Sequence, residues 1–292
     1  MPEVTCAGGF GNHISTKIFP RARRPYVCCI DPDKPSLFSG LDYASFGIAE
    51  IVACLVGVRG RDINRKGSMG CSPLAWAAVN GHEGVVKILL GRDDIDINKL
   101  DDSGRTALWR AATNGHEGVV RILLEKDNAN QPDDYGRTLL WWAAGVGHEG
   151  VVKVLLERDD VDPNKPDGGG RTPLWRAVSG GCEGVVKILL GWGSTDLNEP
   201  DRRGRTLLWW AADYGHEGVV KILLERDDVD PDKPDDEGRT PLWRAAFHGD
   251  AGVVKMLLGQ GGADPNRLDE YGQTPLSCAL RYGHAGVVAL LD

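Results

Sequence analysis

The stretch GHEGVV at residues 215–220 decides the fold, because near copies of it return along the chain of 292 residues. The other copies begin at Gly81, Gly115, Gly147, Gly181, Gly249 and Gly283. Successive copies lie 34 residues apart, except for an interval of 32 residues between Gly115 and Gly147. A fixed period of this length is typical of a solenoid, in which each unit buries its apolar face against its neighbours. We therefore predict one repeat domain from about residue 31 onward.

Each unit begins with a turn and a first helix, as the copy that starts at Asp201 illustrates. The side chain of Asp201 can bond its own backbone, and Gly204 can adopt a positive φ. Residues 207–213 contain Leu, Trp and Ala without a helix breaker, which predicts a helix. Gly215 then supplies the stop signal.

A second, more apolar helix follows over residues 217–225. Glu217 favours the positive end of the helix dipole, and five apolar residues (Val219, Val220, Ile222, Leu223 and Leu224) are spaced for a buried face. The small side chains of Ala211 and Ala212 allow the two helices to approach closely. Pro231 cannot continue a helix, so the chain runs extended into the next turn.

Several recurring stretches carry a family resemblance. The stretches GRTPL at 238–242, AA at 245–246 and ADPN at 263–266, together with GHEGVV, resemble the Thr-Pro-Leu-His-x-Ala-Ala, Gly-His and Ala-Asp-x-Asn signatures of ankyrin repeats. The resemblance covers about 250 residues. It implies an all-α ankyrin-repeat solenoid of helix-turn-helix units with short hairpin-like turns.

The chain departs from the usual ankyrin pattern in two ways. Tryptophan stands where the family usually has histidine, at Trp109, Trp141, Trp175, Trp209 and Trp243. The period is also one residue longer than the usual 33. Both departures resemble ankyrin arrays of filamentous fungi.

Seven clear repeats and one degenerate unit are predicted. We number the clear repeats 1 to 7, near residues 67–100, 101–132, 133–166, 167–200, 201–234, 235–268 and 269–292. Residues 31–66 form the degenerate unit, and residues 1–30 a non-repetitive N-terminal extension. The stretch from Pro35 to Ser45 resembles the unit that often follows the nucleotide-binding switch domain of fungal NACHT-type receptors. No phosphate-binding Gly-x-x-x-x-Gly-Lys-Ser/Thr motif is present.

Composition excludes several classes of protein. The net charge of −8 argues against broad nucleic-acid binding, and no apolar run reaches the ~20 residues of a membrane helix. The seven cysteines share no repeat position, so we expect free thiols in a reducing compartment. Without a visible secretory signal, the expected location is cytoplasmic or nuclear.

The recurring histidines are the first candidates for chemistry. His82, His116, His148, His216 and His284 each precede the second helix of a unit. They are a whole repeat apart, whereas a zinc-peptidase motif needs two histidines on one helix. We expect each to bond locally at the turn between the helices, and we predict no metal and no cofactor. Cys182 has no evident His and Asp partners, so the chain is not expected to be an enzyme.

Two arginine series also repeat. The residue after the signature tryptophan alternates as Trp76, Arg110, Trp142, Arg176, Trp210 and Arg244. If these side chains meet between neighbours, each guanidinium lies on an indole face and contributes about 0.5–1 kcal/mol; duplication of pairs of units explains the alternation equally well. The second series comprises Arg105, Arg137, Arg171, Arg205 and Arg239. We expect it to pair with the aspartates of the turns rather than to form an anion-binding ladder.

The differences between copies indicate where a partner binds. Variation gathers at the turn tip and at the end of the first helix, and the ankyrin resemblance implies that both places line a concave groove. Early repeats place small residues there, whereas later repeats place charged and aromatic ones. The predicted partner-binding residues are Arg202, Arg203, Asp213, Tyr214, Asp236, Glu237, Phe247, His248, Tyr271 and Tyr282, with Arg281 beside them.

The leading functional hypothesis is a non-catalytic scaffold or adaptor that binds another protein. One alternative is the sensor fragment of a fungal NACHT-type receptor, and another is an accessory protein of a biosynthetic pathway. We also expect an exposed apolar end at residues 289–292, because no polar capping unit follows the last helix, and this end offers a route to self-association.

Overall fold

Each sequence repeat folds as two helices joined by a short connection in the computed structural model, which describes residues 62–126, 131–192 and 196–292. In chain order the helices are α1 Pro73–Val79, α2 Glu83–Leu90, α3 Ala107–Thr113, α4 Glu117–Leu124, α5 Leu139–Val146, α6 Glu149–Leu156, α7 Pro173–Ser179, α8 Glu183–Trp192, α9 Leu207–Asp213, α10 Glu217–Leu224, α11 Pro241–His248, α12 Ala251–Gly259, α13 Pro275–Tyr282 and α14 Ala285–Leu291. These residues contain no β-strand. The predicted all-α repeat architecture is therefore confirmed.

The start of each first helix is fixed by a hydroxyl side chain. Thr206 Oγ1 accepts a hydrogen bond from the backbone N–H of Trp209 at 3.2 Å, three residues into α9. Equivalent bonds are made by Ser72, Thr106, Thr138, Thr172, Thr240 and Thr274. Such a cap stabilises a helix by about 1 kcal/mol, so the recurring threonine has a structural reason.

The turn that precedes each first helix is built around an aspartate. Asp201 Oδ1 accepts from the backbone N–H groups of Arg203 at 2.9 Å and Arg205 at 3.1 Å. Gly204 adopts φ +77° and Gly215, after α9, adopts φ +68°; both values are costly for residues with a Cβ. The predicted turn and helix stop are confirmed.

Stacking of like helices forms the core. Helix α9 packs on α7 and α11, and α10 packs on α8 and α12. Ala211 and Ala212 are fully buried between the layers. Of the five apolar residues predicted to line the buried face of α10, only Leu224 remains partly exposed. The residues shared by all copies are thus those that let one unit stack on the next.

The N-terminal predictions are largely untested by the structure. The extension at 1–30 and the degenerate unit at 31–66, apart from residues 62–66, lie outside the described residues. All described residues belong to one compact unit. None of their helices has the length and apolar character needed to cross a membrane.

Candidate functional site

The predicted turn-tip residues lie in a row along one edge of the stacked repeats. The backbone N–H of Asp236 donates to the carbonyl oxygen of Arg203 at 3.0 Å, and that of Glu270 donates to Glu237 at 3.0 Å. These bonds link the tips of repeats 5, 6 and 7. Arg202, Arg203 and Asp236 are exposed, and Tyr271 keeps 71% of its surface exposed. The row therefore presents positive charge in repeat 5, negative charge in repeat 6 and an aromatic ring in repeat 7.

A second group of predicted residues gathers at the ends of α9, α11 and α13. The Phe247 ring meets the edge of Tyr282 with centroids 4.7 Å apart and stacks on Trp243 at 5.6 Å. Tyr214 stacks on Trp210 at 5.4 Å. Tyr214 and Tyr282 nevertheless remain about half exposed, at 46% and 50%. These aromatic side chains are therefore held in place while offering surface to a partner.

Two further predicted residues, Asp213 and His248, belong to a partly buried hydrogen-bonded cluster around Arg244 that the sequence did not reveal. Arg244 Nε donates to Asp213 Oδ1 at 2.6 Å, and its Nη2 contacts the same oxygen. His248 Nε2 lies 3.1 Å from that oxygen and 3.2 Å from Arg244 Nη2. The Asp213 side chain is only 13% exposed. It serves mainly as a counter-ion inside the array, so Asp213 contributes less free surface to a partner than predicted.

The alternating arginines do stack on indoles, but on different ones from those considered in the sequence. The guanidinium of Arg176 lies over Trp141 at 5.1 Å, and that of Arg244 over Trp209 at 4.9 Å. Both are signature tryptophans of the preceding repeat. The expected partner Trp210 instead faces Arg205 of its own repeat at 4.1 Å.

The second arginine series pairs with the turn aspartates as predicted, with one exception. Ion pairs join Arg137 to Asp133, Arg171 to Asp167, Arg205 to Asp201 and Arg239 to Asp235. In repeat 2, Arg110 Nε instead bonds Asp101 at 2.7 Å, and Arg105 stacks on Trp109 at 3.9 Å. Burial raises the pKa of Asp101, but bonds from Arg110 and from backbone N–H groups outweigh it and hold the pKa below its usual value.

A cleft between repeats 2 and 3 is a feature that sequence reasoning missed. Its volume is about 500 Å³, and its walls include Leu100, Arg105, Trp109, Tyr135 and Trp142. The one sequence signal for it is the short interval of 32 residues, which falls at this junction. Tyr135 is 70% exposed, so the view that the early repeats present only small residues needs correction at repeat 3.

Four of the five recurring histidines bond across repeats and not locally, which corrects the sequence prediction. His116 Nε2 lies 2.7 Å from the carbonyl oxygen of Val79, and His216 Nε2 lies 3.2 Å from that of Ser179. A carbonyl oxygen only accepts, so each Nε2 carries a hydrogen and donates. His148 and His284 do the same to Thr113 and Phe247. Each histidine joins its repeat to the end of the previous first helix.

The thiols of Cys182 and Cys278 have a raised pKa, which disfavours the reactive thiolate. Burial raises the pKa of the Cys182 thiol, and burial followed by the charge of Asp269 raises that of Cys278 to about 11. Across the described ranges, no three His, Cys, Asp or Glu side chains are grouped to hold a metal ion.

The last helices expose apolar side chains, as predicted for this end of the array. Leu280 is 60% exposed and Leu290 is 39% exposed. In α10 the residue equivalent to Leu290, Ile222, is 7% exposed. Self-association through this surface stays a prediction.

Comparison with known families agrees with this architecture. A model of the single ankyrin repeat matches residues 69–102, and a model of three ankyrin repeats matches overlapping stretches that run from residue 94 to 292. The chain belongs to the ankyrin repeat family. Ankyrin repeats generally mediate protein–protein interaction, and proteins built from them are generally non-catalytic. The comparison with curated proteins found no match to this chain.

Proposed function

We propose that this ankyrin repeat protein is a non-catalytic scaffold or adaptor that holds a partner protein in its concave groove. The contact surface is formed by the turn tips and first-helix ends of repeats 5 to 7. The turn tips contribute Arg202, Arg203, Asp236, Glu237 and Tyr271. The helix ends contribute Tyr214, Phe247, His248, Tyr282 and, in part, Asp213.

The observation that carries this proposal is the placement of differences between near-identical repeats. Repeats 3 and 5 are identical at 28 of 34 positions. Four of the six differences are Asp134/Arg202, Tyr135/Arg203, Gly145/Asp213 and Val146/Tyr214. These four fall at the turn tip and the end of the first helix, whereas among the buried residues of these two repeats only Val154 and Ile222 differ. Most of the positions that differ between these repeats thus lie on surfaces that do not contribute to stacking.

The aromatic residues of the groove have the properties of interface anchors. Tyr214 rests on Trp210, and Tyr282 rests on Phe247, so their rings are already ordered before any partner arrives. An ordered ring loses little conformational entropy on binding, while a half-exposed ring still has apolar surface to bury. Tyrosine and arginine are enriched among the residues that dominate binding energy. Arg202 and Arg203 add charge at the rim.

The experiment that tests the proposal compares partner capture by the full chain and by the Tyr214→Ala/Phe247→Ala double variant. Proteins captured from an extract of the source organism are quantified, and the affinity of each candidate for the purified chain is then measured by calorimetry. We expect the double variant to weaken true partners by at least about tenfold. Circular dichroism and urea unfolding check that the array remains folded.

Tyr135→Ala is the matched control, because it removes a tyrosine as exposed as Tyr271 but outside repeats 5 to 7. It should leave the affinity within about twofold of the wild type. Equal affinities for the double variant and the wild type would contradict the proposed location of the surface.

A receptor sensor of the fungal NACHT type remains the second candidate, and it draws support from the resemblance at residues 35–45 and from the resemblance of the repeats to ankyrin arrays of filamentous fungi. The genomic sequence upstream of Met1 tests it: a contiguous nucleotide-binding switch domain favours the receptor, and a separate gene favours the adaptor.

The accessory role in a biosynthetic pathway draws support from the cleft between repeats 2 and 3, and a small-molecule binding screen tests it.

A further inference from the structure

The junction between repeats 3 and 4 holds a guanidinium, that of Arg176, which forms no ion pair with any residue that the structure describes. Arg176 Nε is buried and has no hydrogen-bond partner, and Nη1 has only Ser179 Oγ at 3.4 Å. One face of the group rests on Trp141. Arg176 as a whole is nevertheless partly exposed.

The chain contains its own template for how such a group is neutralised. Arg244 occupies the same place two repeats later and stacks on Trp209 as Arg176 stacks on Trp141. There the carboxylate of Asp213, from the end of α9, receives the guanidinium. The residue equivalent to Asp213 in repeat 3 is Gly145. The two junctions therefore share the arginine and the indole but not the carboxylate.

Neighbouring side chains leave more room at the first junction. Val146, Ser179 and Gly180 stand where Tyr214, Phe247 and His248 stand at the second. Each of these three side chains at the first junction is smaller than its counterpart at the second. A ligand that approaches Arg176 along the groove therefore meets no aromatic ring at these positions.

A guanidinium with a buried, unpaired Nε gains most from a carboxylate, because its N–H groups match the two carboxylate oxygens in a bidentate geometry. Leaving it without a charged partner costs free energy, which binding of an acid recovers. We propose that Arg176 is a recognition site for a partner's acidic side chain, an aspartate or glutamate that supplies the carboxylate missing at Gly145. This inference rests on the proposed function. It extends the contact surface from repeats 5 to 7 to the junction between repeats 3 and 4, and it adds an acidic residue to the description of the partner.

The test is a titration of the full chain by NMR, observed at the arginine Nε–H groups. The probe is N-acetylglutamate N-methylamide, and the neutral glutamine compound is its control. For the wild type we expect the Arg176 signal to shift saturably with the acid, at a dissociation constant on the order of 10 mM, and not with the amide.

Two exchange variants complete the design. Gly145→Asp supplies the internal carboxylate and should lower the affinity of the probe at Arg176 by at least about tenfold. Asp213→Gly removes the carboxylate from the other junction and should create a second responsive signal at Arg244. Dispersion of the amide spectrum shows that each variant is folded. Ser179→Ala leaves Gly145 in place, so no internal carboxylate competes with the probe, and it should keep the response.

An unmoved Arg176 signal, an equal response to the amide, or an unchanged response in Gly145→Asp would overturn the inference. The titration needs no partner protein. A failed titration beside successful capture through Tyr214 and Phe247 therefore refutes the acid site alone. A successful titration beside capture that ignores those two residues refutes the proposed contact surface alone.

Discussion

Repeats 3 and 4 and repeats 5 and 6 are two versions of the same pair of units, and they differ most where their first helices end. At one junction Gly145 faces Arg176, and at the other Asp213 faces Arg244. The tryptophan under each arginine and the threonine caps are the same. The exchange of glycine for aspartate at this position, together with His248 in place of Gly180, gives the two junctions different electrostatic environments.

The two junctions show that equivalent positions of a duplicated array can either pair internally or leave a charged group unpaired. At the junction between repeats 5 and 6, which we call the closed junction, the carboxylate of Asp213 neutralises Arg244. Tyr214 and Phe247 add ordered surface there. At the junction between repeats 3 and 4, which we call the open junction, no carboxylate of the described residues pairs with the guanidinium of Arg176. The proposed acid ligand would therefore act only at the open junction, where no internal carboxylate competes with it.

The largest effect is expected from removing the carboxylate of the closed junction. Asp213→Ala leaves Arg244 without its partner in a site where both side chains are about 85% buried (15% and 13% exposed). We expect a loss of about 3 kcal/mol in the free energy of unfolding, measured by urea denaturation. Asp236→Ala, at an exposed turn tip, is the control and should change stability by less than about 0.5 kcal/mol. A loss from Asp213→Ala as small as that of the control would contradict the closed-junction account.

A smaller gain is expected from building the same contact at the open junction. Gly145→Asp should raise the free energy of unfolding by about 1 kcal/mol, because it replaces a helical glycine and gives Arg176 a carboxylate. The new side chain requires Arg176 to move, since a Cβ on Gly145 collides with it. Gly145→Asn keeps the shape without the charge, and a gain as large as that of aspartate would show that pairing is not the cause.

A still smaller effect is expected from replacing the unpaired arginine. Arg176→Leu gives up a cation–π contact worth about 0.5–1 kcal/mol but also removes a buried Nε that has no partner. The net loss of stability should stay below about 1 kcal/mol. Arg244→Leu should cost at least twice as much, because it strands Asp213. Equal losses for the two variants would indicate that both junctions are governed by packing alone.

The smallest effect concerns the residue that stands in the histidine position of repeat 4. Cys182 Sγ lies 3.8 Å from the carbonyl oxygen of Gly145, whereas His116 Nε2 lies 2.7 Å from its acceptor. Cys182→His should restore the inter-repeat hydrogen bond and raise the unfolding free energy by about 0.5 kcal/mol. The thermal midpoint reports this change, and a lower midpoint would show that the site has adapted to the smaller cysteine.

The sequence could predict what depends on local spacing. The period, the threonine caps, the Gly204 turn and the buried faces follow from signals within a single unit. The contacts between units could not be predicted, because they depend on how far one repeat is rotated against the next. For this reason His116 was expected to bond its own turn but bonds Val79, and Arg176 lies over Trp141 and not Trp142.

The predicted site residues were found by comparing copies, which locates variable positions but not their partners. The tips at Arg203 and Tyr271 are exposed as expected. Asp213 was counted as surface because its counter-ion, Arg244, lies 31 residues away in the next repeat. Internal pairing and free surface look alike in a sequence.

A double-mutant cycle on Asp213 and Arg244 measures how far the ion pair between them stabilises the array. Unfolding free energies are measured for the wild type, Asp213→Ala, Arg244→Leu and the double variant. The account predicts a coupling of about 2 kcal/mol, because the two charges neutralise each other in a desolvated site. A coupling near zero would mean that the two junctions do not differ in their electrostatics, and the comparison between them would fail.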